Sequence, residues 1–125
     1  KMIEKAKENI KLAGFEKNIT ILEGDAEEIL KEVEGPFDMI FMDAAKAQYI
    51  YFLPEVLRLM KKGAVLITDN VLQEGDLIES RFVVERRDRT IHKRMREYLE
   101  VVKNHEELET SIVPIGDGIT ISVKK

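Results

Sequence analysis

No cysteine occurs in the 125 residues, so neither a disulfide framework nor a thiolate metal site is open to this chain. It has no apolar run approaching the length of a membrane span, and Lys1 opens a charged helix rather than a signal peptide. A cytoplasmic protein is therefore the default expectation. Histidine is scarce: only His92 and His105 occur, on a highly charged segment with no motif around them, and both are expected at the surface. Internal repeats, low-complexity tracts and a second domain are also missing. A 44% hydrophobic content over this length suits one soluble globular domain, residues 1–125, with room for a single core.

The formal charge of -4 hides an asymmetry. Arg81, Arg86, Arg87, Arg89, Lys93, Arg94 and Arg96 stand against only Glu85 and Asp88, so this stretch carries about +5 and the remainder about -9. Such a run is either a solvated helix face with local ion pairs or a phosphate-binding patch, since clustered Arg and Lys are the footprint of nucleic-acid contact.

The apolar pattern predicts an alternation. Met2, Ile3, Ala6, Ile10 and Ala13 recur at helical spacing, and Gly14 follows where a helix stop is expected. Ile19 to Leu22 reads as a short strand ended by Gly24-Asp25. Ala26, Ile29, Leu30 and Val33 make one face of a second helix, closed by Gly35-Pro36. Phe37 to Met42 reads as a strand buried on both faces of a parallel sheet. Phe52, Leu53, Val56, Leu57 and Met60 form the next helical stripe, with Pro54 tolerable only near a helix start or kink. Ala64 to Thr68 is a third strand. After the polar Arg-rich stretch, Ile91, Met95, Leu99 and Val102 define an amphipathic helix. Ser111 to Pro114 and Ile119 to Val123 flank Gly116-Asp117-Gly118 with no room for a helix, so the parallel α/β sheet ends in an antiparallel hairpin.

In an open α/β sheet, ligands bind at the carboxyl ends of the strands. Those ends read Gly24-Asp25-Ala26, Asp43-Ala44-Ala45-Lys46 and Asp69-Asn70. Magnesium takes oxygen ligands, typically one or two carboxylates with substrate and water, and Asp43, Asp69 and the Asn70 amide fit that description. Each also has a plainer explanation: Asp after a strand is often a helix N-cap, and Asp-Asn is a common turn pair. Their coincidence at equivalent strand ends is what favours a site.

The run from Phe37 through Asp43, Lys46 and Tyr49, followed by Ile67-Thr-Asp69-Asn70-Val71-Leu72, resembles the cation-dependent O-methyltransferases. That family includes catechol and caffeoyl-CoA enzymes and bacterial relatives. Pro114 to Ser122 resembles the terminal hairpin of the bacterial branch, and the likeness spans essentially the whole chain. The resemblance implies a Rossmann-like class I methyltransferase fold using S-adenosylmethionine and Mg2+ or another divalent cation. It implies that Asp43, Asp69 and Asn70 are metal ligands and Lys46 the general base. Gly24, Asp25 and Ala26 would lie along the adenine of the methyl donor, with Asp43 near its amino-acid end. The bacterial branch includes tRNA wobble 5-hydroxyuridine methyltransferases, and Arg81, Arg86, Arg87, Arg89, Lys93 and Arg94 are consistent with an anticodon partner. The alternative acceptor is a small molecule with vicinal oxygens, as in catechols. A homodimer follows by family analogy.

The family's glycine-rich turn and its acidic ribose ligand are not found here, and the only Gly-x-Gly, Gly116-Asp117-Gly118, belongs to the hairpin. The resemblance therefore predicts that this chain lacks the first two strands of the family sheet, is a piece of a longer enzyme, and methylates nothing by itself. Two other classes compete. A response-regulator receiver domain would use Asp43 as phospho-acceptor, but Glu23-Gly24-Asp25 makes a poor acidic pair and the hairpin replaces its last βα unit. A non-catalytic RNA-binding piece would use the Arg81 to Arg96 patch alone.

Overall fold

The computed structural model describes residues 1–69, 71 and 86–125, which divide into two compact units, Lys1–Glu32 and Val33–Lys125. In the first, the expected opening helix is α1, Met2–Leu12, and Gly14 beyond its end sits in the left-handed region at φ 76°. A residue without Cβ is favoured there. The second helix, α2, covers Ala26–Glu32.

Between them one expectation is corrected. Ile19 to Leu22 forms no strand; the Phe15 carbonyl instead accepts from the Asn18 and Ile19 amides at 2.9 and 3.0 Å. Ile19 and Leu22 remain 47% and 58% exposed. β-branched residues favour extended backbone, but a strand persists only where a neighbouring ladder takes its amides and carbonyls. No described strand pairs with this run.

The second unit is built on four strands: β1 (Phe37–Met42), β2 (Met60–Asp69), β3 (Leu108–Val113) and β4 (Ile119–Lys124), in the order β1-β2-β4-β3. β1 and β2 are parallel, joined through a 3-10 turn at Lys46–Gln48 and helix α3, Tyr49–Leu59. The other two pairings are antiparallel. The sheet thus begins with a helical crossover and ends in a hairpin, as the sequence pattern requires. Gly116 and Gly118 take φ 57° and 80° in that hairpin loop, where a side chain would be strained.

One face of the sheet carries the core. Met42, Thr68 and Thr120 share one register row and Leu66 and Ser122 another, and all five are buried together with Phe52, Leu53 and Val56 of α3. Burying each such large apolar side chain is worth about 1.5–3 kcal/mol. The alternate rows, Met39-Val65-Val123 and Phe41-Ile67-Ile121, are half-buried or exposed, because successive strand residues point to opposite faces. Phe37 to Met42 is therefore not buried on both faces within this unit, as its apolar run suggested.

Three further boundaries differ from expectation. β2 starts at Met60, four residues before Ala64, with a bulge: the register passes from Phe37↔Met60 to Met39↔Val65. Pro54 lies inside α3 rather than at its start, so the Ile50 carbonyl has no residue-54 amide to accept from. The final helix, α4, runs Arg86–Asn104, beginning before Ile91, so the described part of the basic cluster is helical. Its buried face holds Met95, Tyr98, Val102 and His92, the last only 4% exposed. His92 was expected at the surface; its i, i+3, i+6 spacing to Met95 and Tyr98 puts it on the packed stripe instead. His105 is half-buried, its Nδ1 accepting from the Glu107 amide at 3.1 Å. No helix among the described residues is long and apolar enough to cross a membrane.

Candidate active site

Because β1 and β2 are parallel neighbours with Met42 opposite Thr68, the next residues, Asp43 and Asp69, sit at adjoining strand ends. Asp43 is exposed and Asp69 half-buried. The end of β2 is held from the hairpin side as well: Asp69 pairs with Ile119, and the Val71 amide donates to the Gly118 carbonyl at 3.1 Å. Val71 is fully buried, which anchors the chain directly after the site. Asn70, between these two, lies outside the described residues.

Tyr49, the first residue of α3, closes the gap between the strands. Its ring is fully buried, and its hydroxyl accepts from the Ala44 amide at 3.3 Å and donates to the Asp69 carbonyl at 3.1 Å. Burial pushes its hydroxyl pKa up, the Ala44 amide pulls it down, and the carboxylates of Asp43 and Asp69 push it up again. The Tyr98 ring meets Tyr49 edge-on, 5.6 Å between centroids and 63° between planes. Tyr98 shares a 2.5 Å hydrogen bond with Thr68 Oγ1, while Thr120 Oγ1, in the same register row, faces that hydroxyl without hydrogen-bond geometry. Burial is the main reason that the Tyr98 hydroxyl is pushed up to about 12.

Lys46 begins the 3-10 turn three residues after Asp43, following Ala45 in an extended conformation. It is half-buried, and its ammonium forms no ion pair with another described residue. Asp43, Lys46 and Asp69 thus belong to one structural unit, Asp43 and Lys46 where the chain leaves β1 and Asp69 at the end of β2.

Gly24, Asp25 and Ala26 lie in the first unit at the start of α2, all exposed. Here the plainer reading has substance. Asp25 Oδ1 accepts from the Glu27 amide at 2.8 Å, capping the helix. Gly24 has φ 148°, a backbone conformation that residues with a Cβ rarely adopt, so the local turn itself favours glycine. The exposed backbone and second Asp25 oxygen leave polar groups that suit the edge of a purine.

The residues fit a hard divalent cation by the chemistry of their donors: two carboxylates on adjoining strand exits, with an amide side chain next in sequence. No group of three or more His, Cys, Asp or Glu side chains gathers among the described residues, leaving two carboxylates as the charged donors.

The basic cluster is divided by α4. Arg89, Lys93 and Arg96 follow at i, i+4 and i+7 and share one face, Arg89 and Lys93 being exposed and Arg96 half-buried. Arg94 turns away; its guanidinium carbon lies 5.4 Å from the Tyr51 ring centroid. Arg86 and Arg87 begin the helix, and Arg81 lies outside the described residues.

Sequence reasoning included Tyr49 in the motif run but gave it no role, and passed over Tyr98. The available signal was a Tyr rather than a Phe at positions in phase with a helix's buried stripe, which implies that the hydroxyl finds a partner.

Comparison with known proteins agrees with this architecture. Tapetum-specific methyltransferase 1 of Arabidopsis thaliana is 30% identical over 118 residues, covering 91% of this chain and 51% of its own length. Caffeoyl-CoA O-methyltransferase of Medicago sativa is 33% identical over 125 residues, covering 90% of this chain and 48% of its own. The chain thus spans about half the length of these relatives. Among solved structures, a candidate caffeoyl-CoA O-methyltransferase from Staphylococcus aureus superposes with a TM-score of 0.88 at 37% identity, over 99% of this chain and 60% of that one. The SAH-bound Podospora anserina methyltransferase PaMTH1 gives 0.84 at 26%, over 99% and 56%. The mixed sheet is accordingly part of a class I methyltransferase fold. A family model described as O-methyltransferase matches residues 1–125 throughout, and the chain belongs to that family.

Proposed function

We propose that the protein carrying this chain transfers a methyl group from S-adenosylmethionine to a hydroxyl flanked by a second oxygen, with a divalent cation such as Mg2+ held by Asp43, Asp69 and Asn70. The observation that carries this reading is the side-by-side exit of Asp43 and Asp69 from parallel strands, tied together by one buried hydroxyl. When bound, the donor would supply an activated methyl group, and a cation held by these residues would supply Lewis acidity that lowers the pKa of a hydroxyl with a second oxygen beside it. Asp43 and Asp69 set the position of that oxygen pair. Lys46, on the turn that leaves β1, takes the hydroxyl proton as general base. Gly24, Asp25 and Ala26 receive the adenine edge, and Asp43 also approaches the amino-acid end of the donor. The gain is chiefly positional: two reactants held in line are worth several kcal/mol of barrier.

The printed names of the relatives, catechol and caffeoyl-CoA O-methyltransferases among them, support a small-molecule acceptor with vicinal oxygens. The test is calorimetric. The protein should bind Mg2+ and S-adenosylmethionine, Asp69→Ala should abolish the Mg2+ heat, and Lys46→Met should keep both ligands while losing turnover on a catechol. Undiminished Mg2+ binding by Asp69→Ala would refute the assignment.

A second acceptor, a tRNA anticodon carrying 5-hydroxyuridine, is favoured by the exposed Arg89 and Lys93 on one face of α4. Neutralising Arg86, Arg87 and Arg89 should then weaken tRNA binding and flatten its dependence on salt. An unchanged salt slope would leave the small-molecule acceptor alone.

A further inference from the structure

The adjoining strand ends raise a question of spacing. Two carboxylates that leave parallel strands repel each other, and the β1–β2 ladder ends one residue before them, at Met42↔Thr68. Here the tie is a side chain from a third segment. The Tyr49 hydroxyl bonds the amide of Ala44, the residue next to Asp43, and the carbonyl of Asp69 itself. It uses one acceptor and one donor function, which is what a phenol offers and what no other neutral side chain of that reach supplies from a buried ring. The ring cannot swing away, because it is fully buried with Tyr98 edge-on against it. Tyr98 is fixed in turn on Thr68, the residue before Asp69.

Resting on the reading of Asp43 and Asp69 as cation ligands, we propose that Tyr49 is a positioning residue whose hydroxyl sets the separation of the Asp43 and Asp69 carboxylates for a divalent cation. It touches neither substrate nor cation. It acts by bonding the backbone on which the two ligands stand, as groups behind metal ligands generally do when they orient them. A phenylalanine would preserve the ring packing and lose only the tie between strand ends.

The experiment is a titration of this chain with Mn2+, read by the loss of the free-ion electron paramagnetic resonance signal. The variants compared are Tyr49→Phe, Tyr98→Phe and Asp69→Ala, with thermal unfolding of each as a fold check. Tyr98→Phe is the packing control, since it keeps the ring against Tyr49 and loses one buried hydrogen bond, to Thr68, with both Tyr49 bonds intact. The expected result is binding by the wild-type chain, its loss in Asp69→Ala, and roughly tenfold weaker binding in Tyr49→Phe, the lower end of what supporting-group mutations cost. Tyr98→Phe should stay within about twofold of wild type, well below the tenfold at which such groups register. Equal Mn2+ affinity in Tyr49→Phe and wild type overturns the proposal while leaving the cation site standing. Equal weakening in Tyr49→Phe and Tyr98→Phe overturns it too, reducing Tyr49 to a packing residue. Absence of binding by the wild-type chain removes the cation site itself and the proposal with it.

Discussion

Two buried polar side chains on α4 illustrate how single residues respond to their surroundings. Tyr98 is neutral and hydrogen-bonded; its hydroxyl pKa rises from 10.0 to about 12, chiefly through burial. Below pH 10 both folded and unfolded chains keep this proton, so its contribution is complete there. Between pH 10 and about 12 the unfolded chain loses the proton and the folded chain retains it, so stability falls as pH rises. The loss should be on the order of 2–3 kcal/mol across that window. Urea unfolding at stepped alkaline pH should show it in the wild type and a shallower fall in Tyr98→Phe. His92 differs in its bonding: it is buried, and neither ring nitrogen is hydrogen-bonded to a described residue. An unpaired buried polar group costs about 1–3 kcal/mol, so His92→Leu should raise stability by about 1 kcal/mol. A lowered denaturation midpoint would mean that packing around the imidazole outweighs its lost hydration.

At the scale of elements, legibility followed periodicity. Helix α1, the crossover through α3 and the terminal hairpin were all readable, because each carries a repeating apolar pattern punctuated by glycine. Ile19 to Leu22 was misread because a β-branched run states a preference and not a partner. The start of α4 was misread because Arg86 to Thr90 lacks apolar residues, although arginine is a good helix former. Lys124, near the end of β4, escaped notice altogether. Its ammonium donates to the Leu57 and Met60 carbonyls at 2.8 and 3.0 Å, satisfying the C-terminal end of α3 where helix carbonyls lack partners. Lys124→Met keeps the aliphatic stem and should cost about 1.5–3 kcal/mol, the worth of a hydrogen bond to a charged group. Thermal unfolding at neutral pH would register it, and an unchanged midpoint would show that water replaces the ammonium.

For the whole molecule, the decisive fact is that the proposed cation ligands come from separate strand ends and meet only when the second unit is folded. A cation that binds the folded chain and not the unfolded one stabilises it by mass action, about 2.7 kcal/mol at a hundred times its dissociation constant. Mg2+ at that excess should raise the unfolding temperature of the protein, and Asp69→Ala should remove the increment while leaving the metal-free midpoint within about 1 kcal/mol of wild type. An increment that survives in Asp69→Ala would place the stabilising ion elsewhere.

Taken alone, the order of residues determined the kind of sheet, the strand ends at which Asp43 and Asp69 stand and the family to which the chain belongs. These depend on local preferences and on spacing along the chain, which are present before folding. Only the tertiary structure decided that Asp25 caps a helix, that His92 is buried, and that Ile19 to Leu22 is no strand. It alone joined Tyr49 to Ala44 and Asp69. The reason is physical: a hydrogen bond between residues 20 apart in sequence has no signature in either one's neighbours, and burial is a property of what packs around a side chain rather than of the side chain itself.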